Sequence, residues 1–299
     1  MGTENMSSKE ILDPKTVTIA TSTYYRDWSE NSNNKLDPST LLRGKLALEM
    51  INTSTKKGYQ IVVVDGGSGS EFTRKANENG AKVVSQNETG MSPGRRQAFR
   101  EASALENCEI ICWIEPEKIS IVSECLPLTL RPLALGVADI VIPKRDDESF
   151  STYPDYQVSY EKKANEMWNN LLRKYNLLPT KSEDLDVWFG PKFFKNDPKI
   201  LSLFLARYEF GIQTFQFLKD VNPEDWANST FLAIPAALHE GYRVKSVRVT
   251  YHHPKEQTEF EKNNDIFKKK RMHQLKSIIS VTSEYIKLIK GQSSLIHLS

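Results

Sequence analysis

Short apolar runs, bounded by polar or glycine-rich links and separated by segments of helical period, constrain the fold of this chain more than any other feature. The sharpest is Ile61-Val62-Val63-Val64, closed by Asp65-Gly66-Gly67-Ser68-Gly69-Ser70. A run apolar at every position has no solvent face, so it belongs inside a sheet covered by helices on both sides. Upstream, a strand over Val17-Thr18-Ile19-Ala20 leads to a helix from about Pro38, in which Leu41, Leu42, Leu46, Leu48 and Ile51 recur at turn spacing and which Gly58 closes. Downstream come an amphipathic segment to Gly80, Lys82-Val83-Val84, a helix over Arg95 to Leu105, a strand over Glu109 to Ile114, a proline-punctuated helix over Leu126 to Leu135, and the strand Asp139-Ile140-Val141-Ile142. Repeated strand-helix units with short links predict an α/β fold with a largely parallel sheet and ligands at the carboxyl ends of its strands.

After Pro143 the pattern changes. A long helix over Tyr156 to Tyr175 carries Tyr160, Ala164, Met167, Trp168, Leu171 and Leu172 on one face, a stripe read as core packing. A mixed segment with Asp184, Asp186 and Trp188 follows, then helices around Ile200 to Tyr208 and Ser229 to His239 and a strand over Val244 to Tyr251. From Pro254 the chain is basic and amphipathic: Lys268-Lys269-Lys270-Arg271 precede Leu275, Ile278, Ile279, Tyr285, Ile286 and Ile289 on a shared face. That predicts a helical tail docked on the domain or on a partner, with contact to a membrane surface left open. The organisation expected is a flexible N-terminus over 1–15, one nucleotide-binding domain over 16–254 and a basic amphipathic tail over 255–299.

The 40 basic residues nearly cancel the 38 acidic ones, so no global field draws nucleic acid, and charge recognition must be local. Cys108, Cys112 and Cys125 have no metal-ligand spacing, which fits a reducing compartment better than a disulfide framework. The N-terminal residues lack the apolar run of a leader, and no stretch approaches the roughly 20 apolar residues that span a bilayer, so a soluble, cytoplasmic protein is expected. Oligomeric state is left open, a homo-oligomer included.

Polar residues directly after the strands carry the candidate chemistry. Asp65 ends a buried strand, where a carboxylate can bind ribose or base, while Gly67 and its neighbours let backbone approach a ligand closely. In Glu115-Pro116-Glu117 residues two apart share a side, so both carboxylates can face a hard cation or a metal held by a diphosphate. In Gly90-Met91-Ser92-Pro93-Gly94-Arg95-Arg96 two arginines stand in the first turn of the expected helix, against its dipole, as if an anion such as a diphosphate sat among them. A histidine of Tyr251-His252-His253-Pro254 could complete a metal site of oxygen and nitrogen ligands suited to manganese.

In order and spacing, these segments resemble glycosyltransferases of the GT-A fold, especially the family 2 branch and the related mannosylglycerate-synthase and polyprenyl-phosphate sugar synthase groups. The resemblance covers about Val17 to His253. Thr18-Ile19-Ala20-Thr21-Ser22-Thr23-Tyr24 is similar to the family's opening strand and base-binding loop, and Val62-Val63-Val64-Asp65-Gly66-Gly67-Ser68 to its strand ending in Asp-Gly-Ser. Gly94-Arg95-Arg96-Gln97-Ala98 resembles the basic helix start before the metal strand, and Ala138-Asp139-Ile140-Val141-Ile142-Pro143 a later strand. Asp186-Val187-Trp188-Phe189-Gly190 is similar to the acceptor-side segment, and Gly241-Tyr242-Arg243-Val244 to the entry of the last strand. Two departures stand out: Glu115-Pro116-Glu117 replaces the usual Asp-x-Asp, and the usual catalytic-base motif has its nearest match at Glu224-Asp225.

The resemblance implies a Rossmann-like GT-A domain and transfer of a hexose from a nucleoside diphosphate sugar to an unidentified acceptor, assisted by manganese or magnesium. Thr21, Ser22, Tyr24, Asp65, Gly67, Ser68, Arg95, Arg96 and Glu115 would hold the donor, and Glu115, Glu117 and His253 the cation. Trp188 and Gly190 would face the acceptor, with Asp186, Glu224 and Asp225 as catalytic candidates. A nucleotidyltransferase, or a family member that binds sugar nucleotide or a partner without turnover, is the alternative.

Overall fold

The computed structural model describes residues 12–31, 37–207, 228–262 and 265–291. Most of the N-terminal segment, and with it no site residue, lies outside these ranges; so do Glu224 and Asp225. Seven strands form one sheet: β1 (Val17–Thr23), β2 (Gln60–Asp65), β3 (Lys82–Ser85), β4 (Ile110–Trp113), β5 (Ile140–Arg145), β6 (Lys192–Lys195) and β7 (Val244–Val249), in the spatial order β3-β2-β1-β4-β6-β5-β7. β1 pairs in parallel with β2 and β4, β2 with β3 and β5 with β7, whereas β6 runs antiparallel between β4 and β5. The sheet is therefore mixed and largely parallel. Because β2 and β4 flank β1 on opposite sides, the crevice beyond their carboxyl ends is a topological switch point.

The helices are α1 (Pro38–Lys56), α2 (Ser70–Glu78), α3 (Met91–Ser103), α4 (Leu126–Ala134), α5 (Asp147–Ser151), α6 (Asp155–Lys174), α7 (Pro198–Leu205), α8 (Asn228–Phe231), α9 (Ala233–His239), α10 (Lys255–Glu261) and α11 (Asp265–Ile289). α1 starts where Asp37 accepts from the Thr40 amide and Pro38 supplies a preset φ, and Gly58, at φ 84°, takes the chain out of it. α3 begins at Met91, four residues before the expected Arg95, because Gly90 turns the chain at φ 122° and Pro93 is tolerated within the first turn. Arg95 and Arg96 consequently stand one turn inside the helix, not at its first turn.

Alternation along the strands sorts the core into two layers. Val17, Ile19, Ile61, Val63, Ile110 and Cys112 pack with Ala47, Ile51, Phe72, Leu126 and Leu130 from α1, α2 and α4. Ala20, Val62, Val64, Ile111, Trp113, Ile140 and Ile142 pack with Phe99, Trp168, Leu172 and Phe204 from α3, α6 and α7. This is why Ile61–Val64 is apolar at each position: successive side chains enter opposite layers, and each fully buried aliphatic side chain contributes about 1.5–3 kcal/mol. Phe99 joins several elements, lying edge-on to Trp113, Phe194 and Phe204, so its truncation to alanine would cost about 3–5 kcal/mol.

α11 packs against α6, and Ile278 and Ile286 enter the second layer beside Trp168 and Leu172. Its apolar face is thus covered by the chain itself. Among the described residues no helix is long and apolar enough to cross a membrane. β6 and α5 are additions to the sequence expectation; each has five residues or fewer, too few to show a period.

Candidate active site

The first two strands end in a braced pair of loops. Asp65, at the end of β2, accepts from Thr23 Oγ1 at 2.8 Å through one oxygen and from the Gly67 and Ser68 amides at 3.0 and 2.8 Å through the other. Ser68 Oγ in turn accepts from the Tyr25 amide at 2.8 Å. The Asp65 carboxylate therefore ties the β1 loop to the β2 loop, and Gly67 closes the turn at φ 112°, where a side chain is strained. Tyr24 lies beside Gly66 and Gly67 with 62% of its surface exposed. An exposed ring over a glycine turn offers a flat face to a planar ligand. Thr21 is fully buried in β1 and Ser22 partly so.

Glu115 and Glu117 follow β4 but meet different fates. Glu117 is 6% exposed, and its Oε1 accepts from Arg43 Nε at 2.7 Å and from the Tyr25 hydroxyl at 3.0 Å. Burial and then the Glu117 charge raise the Tyr25 phenol well above its usual value, so it remains a donor. Glu115 keeps a buried Oε2 with no hydrogen-bond partner. Room for this carboxylate comes from Gly190: a Cβ there would stand 2.0 Å from Glu115 Oε1, and Gly190 adopts φ 107°. Both residues were expected at the site, but their direct apposition was not.

Beneath that contact lies Lys192, fully buried on β6, donating to the carbonyls of Val187 and Gly190 at 2.9 and 2.8 Å. Burial pushes its amine down to about 7, with Glu115 the largest opposing influence. It pins the one-turn 3-10 helix Val187–Phe189, which carries Trp188, against the Glu115 loop. Nothing in the local sequence singles Lys192 out, because a Lys-Phe-Phe-Lys strand normally turns its lysines to water.

A cleft of about 220 Å³ gathers Arg95, Glu115, Glu117, Trp188 and His253 with Arg43, Lys118, Tyr251, Glu261 and Arg271. Arg95 is 7% exposed, its Nε and Nη1 have no hydrogen-bond partner, and its guanidinium lies 5.0 Å from the Trp113 ring centroid. Burial pushes it down to about 10, with Glu115 opposing, which leaves it a cation at neutral pH. Lys118 sits 4.7 Å from the Phe189 ring centroid and 5.2 Å from that of Tyr251, and forms no ion pair among the described residues. Arg96 is also buried but does not line the cleft.

The His253 ring lies 4.3 Å from the Tyr153 ring at a tilt of 42°, and its Nδ1 lies 2.7 Å from Thr258 Oγ1. Burial, reinforced by Lys118, Arg271 and Arg145, pushes its pKa down to about 3, so the ring is neutral and able to act as a ligand. The expected set of Glu115, Glu117 and His253 does not, however, form a three-ligand cluster. Among the described residues no three histidine, cysteine, aspartate or glutamate side chains gather closely enough to hold a metal ion by themselves. The physical reason lies in Glu117, whose charge Arg43 neutralises. Glu115 has the open oxygen that a cation requires, and His253 the open nitrogen.

Asp186 stands apart from the cleft. It is 4% exposed, its oxygens accept from Arg145 Nε and Nη2 at 2.8 and 2.9 Å, and Asn165 donates at 2.6 Å. Burial alone would raise this carboxyl, but Arg145 outweighs it and holds Asp186 below the usual range. Arg145 also donates to Glu161 at 2.5 Å, and Glu161, at the edge of the cleft, accepts from Gln157 at 2.9 Å and lies 3.8 Å from Arg271, so every charge of the triad is paired. Trp188 forms a wall of the cleft, edge-on to Trp168 and Phe231. A larger cavity, about 630 Å³, lies at the other end of β1 and β4 and is lined by backbone caps and by Lys195, already paired with Asp139.

No protein-family model matches this sequence, and neither does any curated protein. Solved structures do. Glucosyl-3-phosphoglycerate synthase from Mycobacterium tuberculosis, in complex with Mn2+, uridine diphosphate and glucosyl-3-phosphoglycerate, superposes with a TM-score of 0.55 at 12% identity over 91% of this chain and 80% of that one. The same enzyme with Mn2+, UDP-glucose and phosphoglyceric acid gives 0.52 at 11% identity, again over 91% and 80%. Another crystal structure of it gives 0.53 at 13% over 91% and 81%. With this strand order, mixed sheet and C-terminal helix, the chain has the GT-A fold.

Proposed function

We propose that this protein is a hexosyltransferase that uses a nucleoside diphosphate sugar and a divalent cation to glycosylate a small anionic acceptor. One observation carries the reading: Arg95 and Glu115, of opposite charge, each keep a buried polar atom without a hydrogen-bond partner at the switch point of the sheet. Such atoms cost about 1–3 kcal/mol each when left unsatisfied. A diphosphate and a cation are the pair of groups that would satisfy both.

In this reading the Tyr24 ring and the turn braced by Asp65, Gly67 and Ser68 hold the nucleoside. Arg95 neutralises charge that develops on the leaving diphosphate, in a cleft where few waters compete. Glu115 and His253 would hold Mn2+ or Mg2+, which when bound supplies Lewis-acid stabilisation to the diphosphate. Glu117 keeps Arg43 and Tyr25 in place behind the β4 loop. Lys118, unpaired and held between aromatic faces, receives the acceptor's negative group, and Trp188 packs on its sugar-facing side. Asp186 acts through Arg145 as a brace and not as a base. Support for the substrates comes from the neighbours, whose structures hold UDP-glucose with phosphoglyceric acid or with glycerol 3-phosphate.

The test is thermal unfolding of the purified chain with uridine, guanosine and adenosine diphosphates and their glucose conjugates, with and without Mn2+, followed by product analysis. Stabilisation by one base, larger with Mn2+, and release of nucleoside diphosphate are expected. No shift with any ligand at millimolar concentration would sink the reading. Release of pyrophosphate would replace it with nucleotidyl transfer.

A further inference from the structure

The donor-acceptor pattern at His253 Nδ1 is set by its neighbour Thr258. The Thr258 hydroxyl donates to the Thr152 carbonyl at 2.8 Å, and a carbonyl can only accept. That hydroxyl has one proton, so the 2.7 Å contact between Thr258 Oγ1 and His253 Nδ1 must be a hydrogen bond donated by Nδ1–H. A ring that ligates a cation carries a single N–H, and with that proton on Nδ1 the lone pair is left on Nε2. The Tyr153 ring lies 4.3 Å from the imidazole at a tilt of 42°, and the His253 amide donates to Thr152 Oγ1 at 3.0 Å, anchoring the backbone from which the ring projects. Thr152 Oγ1, which accepts from the His253 amide, donates in turn to the Ser149 carbonyl at 2.7 Å and ties this stretch of backbone to α5.

We propose that Thr258, on α10, is the positioning residue that holds His253 in the Nδ1–H tautomer and so presents Nε2 as the lone-pair atom of the cleft. The inference rests on the reading of His253 as a cation ligand for its consequence, though not for its geometry. Thr258 lies beyond the last strand, in the segment that the sequence marks as a tail. The helical C-terminal part of the chain therefore helps to build the site and is not only docked behind it. A partner that fixes a ligand's tautomer typically changes metal affinity about 10–100-fold when removed.

The experiment compares wild type with Thr258→Val, which keeps the shape and loses the hydroxyl, and Thr258→Ser, which keeps the hydroxyl. Long-range 1H–15N correlation spectra of the metal-free chains report the His253 tautomer, with His253→Ala assigning the signal. Mn2+ affinity in the presence of uridine diphosphate is read by electron paramagnetic resonance, and thermal unfolding confirms that each variant folds. Expected are the Nδ1–H tautomer in wild type and Thr258→Ser, a mixed ring in Thr258→Val, and an affinity lowered about 10–100-fold in Thr258→Val alone. An Nε2–H ring in wild type, or an unchanged tautomer in folded Thr258→Val, would overturn the proposal. Failure of wild type to bind Mn2+ would instead overturn the cation reading, while the spectra still decide what Thr258 does.

Discussion

Two arginines, Arg95 and Arg145, are buried to nearly the same degree at the same end of the sheet, yet they are treated oppositely. Arg145 has 1% of its side chain exposed and is ringed by acceptors: Asp186 takes Nε, Nη2 and the backbone amide, and Glu161 takes Nη1. Arg95 has a tryptophan face and two nitrogens with nothing to donate to. A buried charge is tolerated only when compensated, so the first cluster is complete as it stands and the second is complete only with a ligand. Pairing, not burial, therefore separates a brace from a binding site in this molecule.

The largest expected effect tests the closed cluster. Arg145→Met leaves Asp186 and Glu161 buried without their cation and should destabilise the chain by about 3–5 kcal/mol, measured by denaturant unfolding. A loss under about 1 kcal/mol would mean that water reaches the triad. Arg95→Met makes the opposite test. Removing an uncompensated buried charge should leave stability equal or higher, while uridine diphosphate affinity in calorimetry falls about 10–100-fold, the worth of about 1.5–3 kcal/mol for hydrogen bonds to a charged group. Equal losses of stability in both variants would erase the distinction.

Gly190→Ala sharpens the contrast on the carboxylate side. Its Cβ would enter the place of Glu115 Oε1 at a backbone φ of 107°, so a stability loss of about 1–2 kcal/mol, together with weaker Mn2+ response, should appear in thermal shift. An unchanged Mn2+ response would separate Glu115 from the cation. The smallest effect belongs to a surface pair. Arg243 holds the Asp139 carboxyl well below its usual value, so Asp139 stabilises fully above about pH 4–5 and loses that contribution as pH falls through its folded-state value. The melting difference between wild type and Asp139→Asn should therefore shrink as pH is lowered from 6 to 3.

The two halves of the sheet also differ in how far they could be read beforehand. β2, β4 and β5 follow from all-apolar runs, because a strand between two helix layers has no polar side to blur the pattern, and β1 from the short run Val17–Ala20 broken only by Thr18. Asp65, Gly67, Arg95, Glu115, Gly190 and His253 were singled out as candidates by their place after strands or at turns and by the family resemblance. β6 was not: Lys192-Phe193-Phe194-Lys195 is four residues long, and only its slot between β4 and β5 makes it a strand. Arg43, Lys118 and Arg271 escaped notice because each reaches the cleft from an element whose local pattern gives its charge to solvent, and Lys192 because its burial under the Glu115 loop is decided only by where β6 is placed. The divergence of Glu115 from Glu117 was equally hidden, since two glutamates two residues apart look alike until Arg43, 74 positions away, is brought to one of them.

By itself the sequence determined the longer elements, the class of fold and the positions where the backbone must turn sharply. Those follow from period, from apolar runs and from glycine, all of them local properties of a chain with a fixed geometry. Tertiary structure alone decided which charges are satisfied: Glu117 and Asp186 closed by Arg43 and Arg145, Arg95 and Glu115 left open, and His253 set in one tautomer by Thr258. Desolvation and hydrogen bonding act through space within a few ångströms, and the residues that meet there come from segments far apart along the chain.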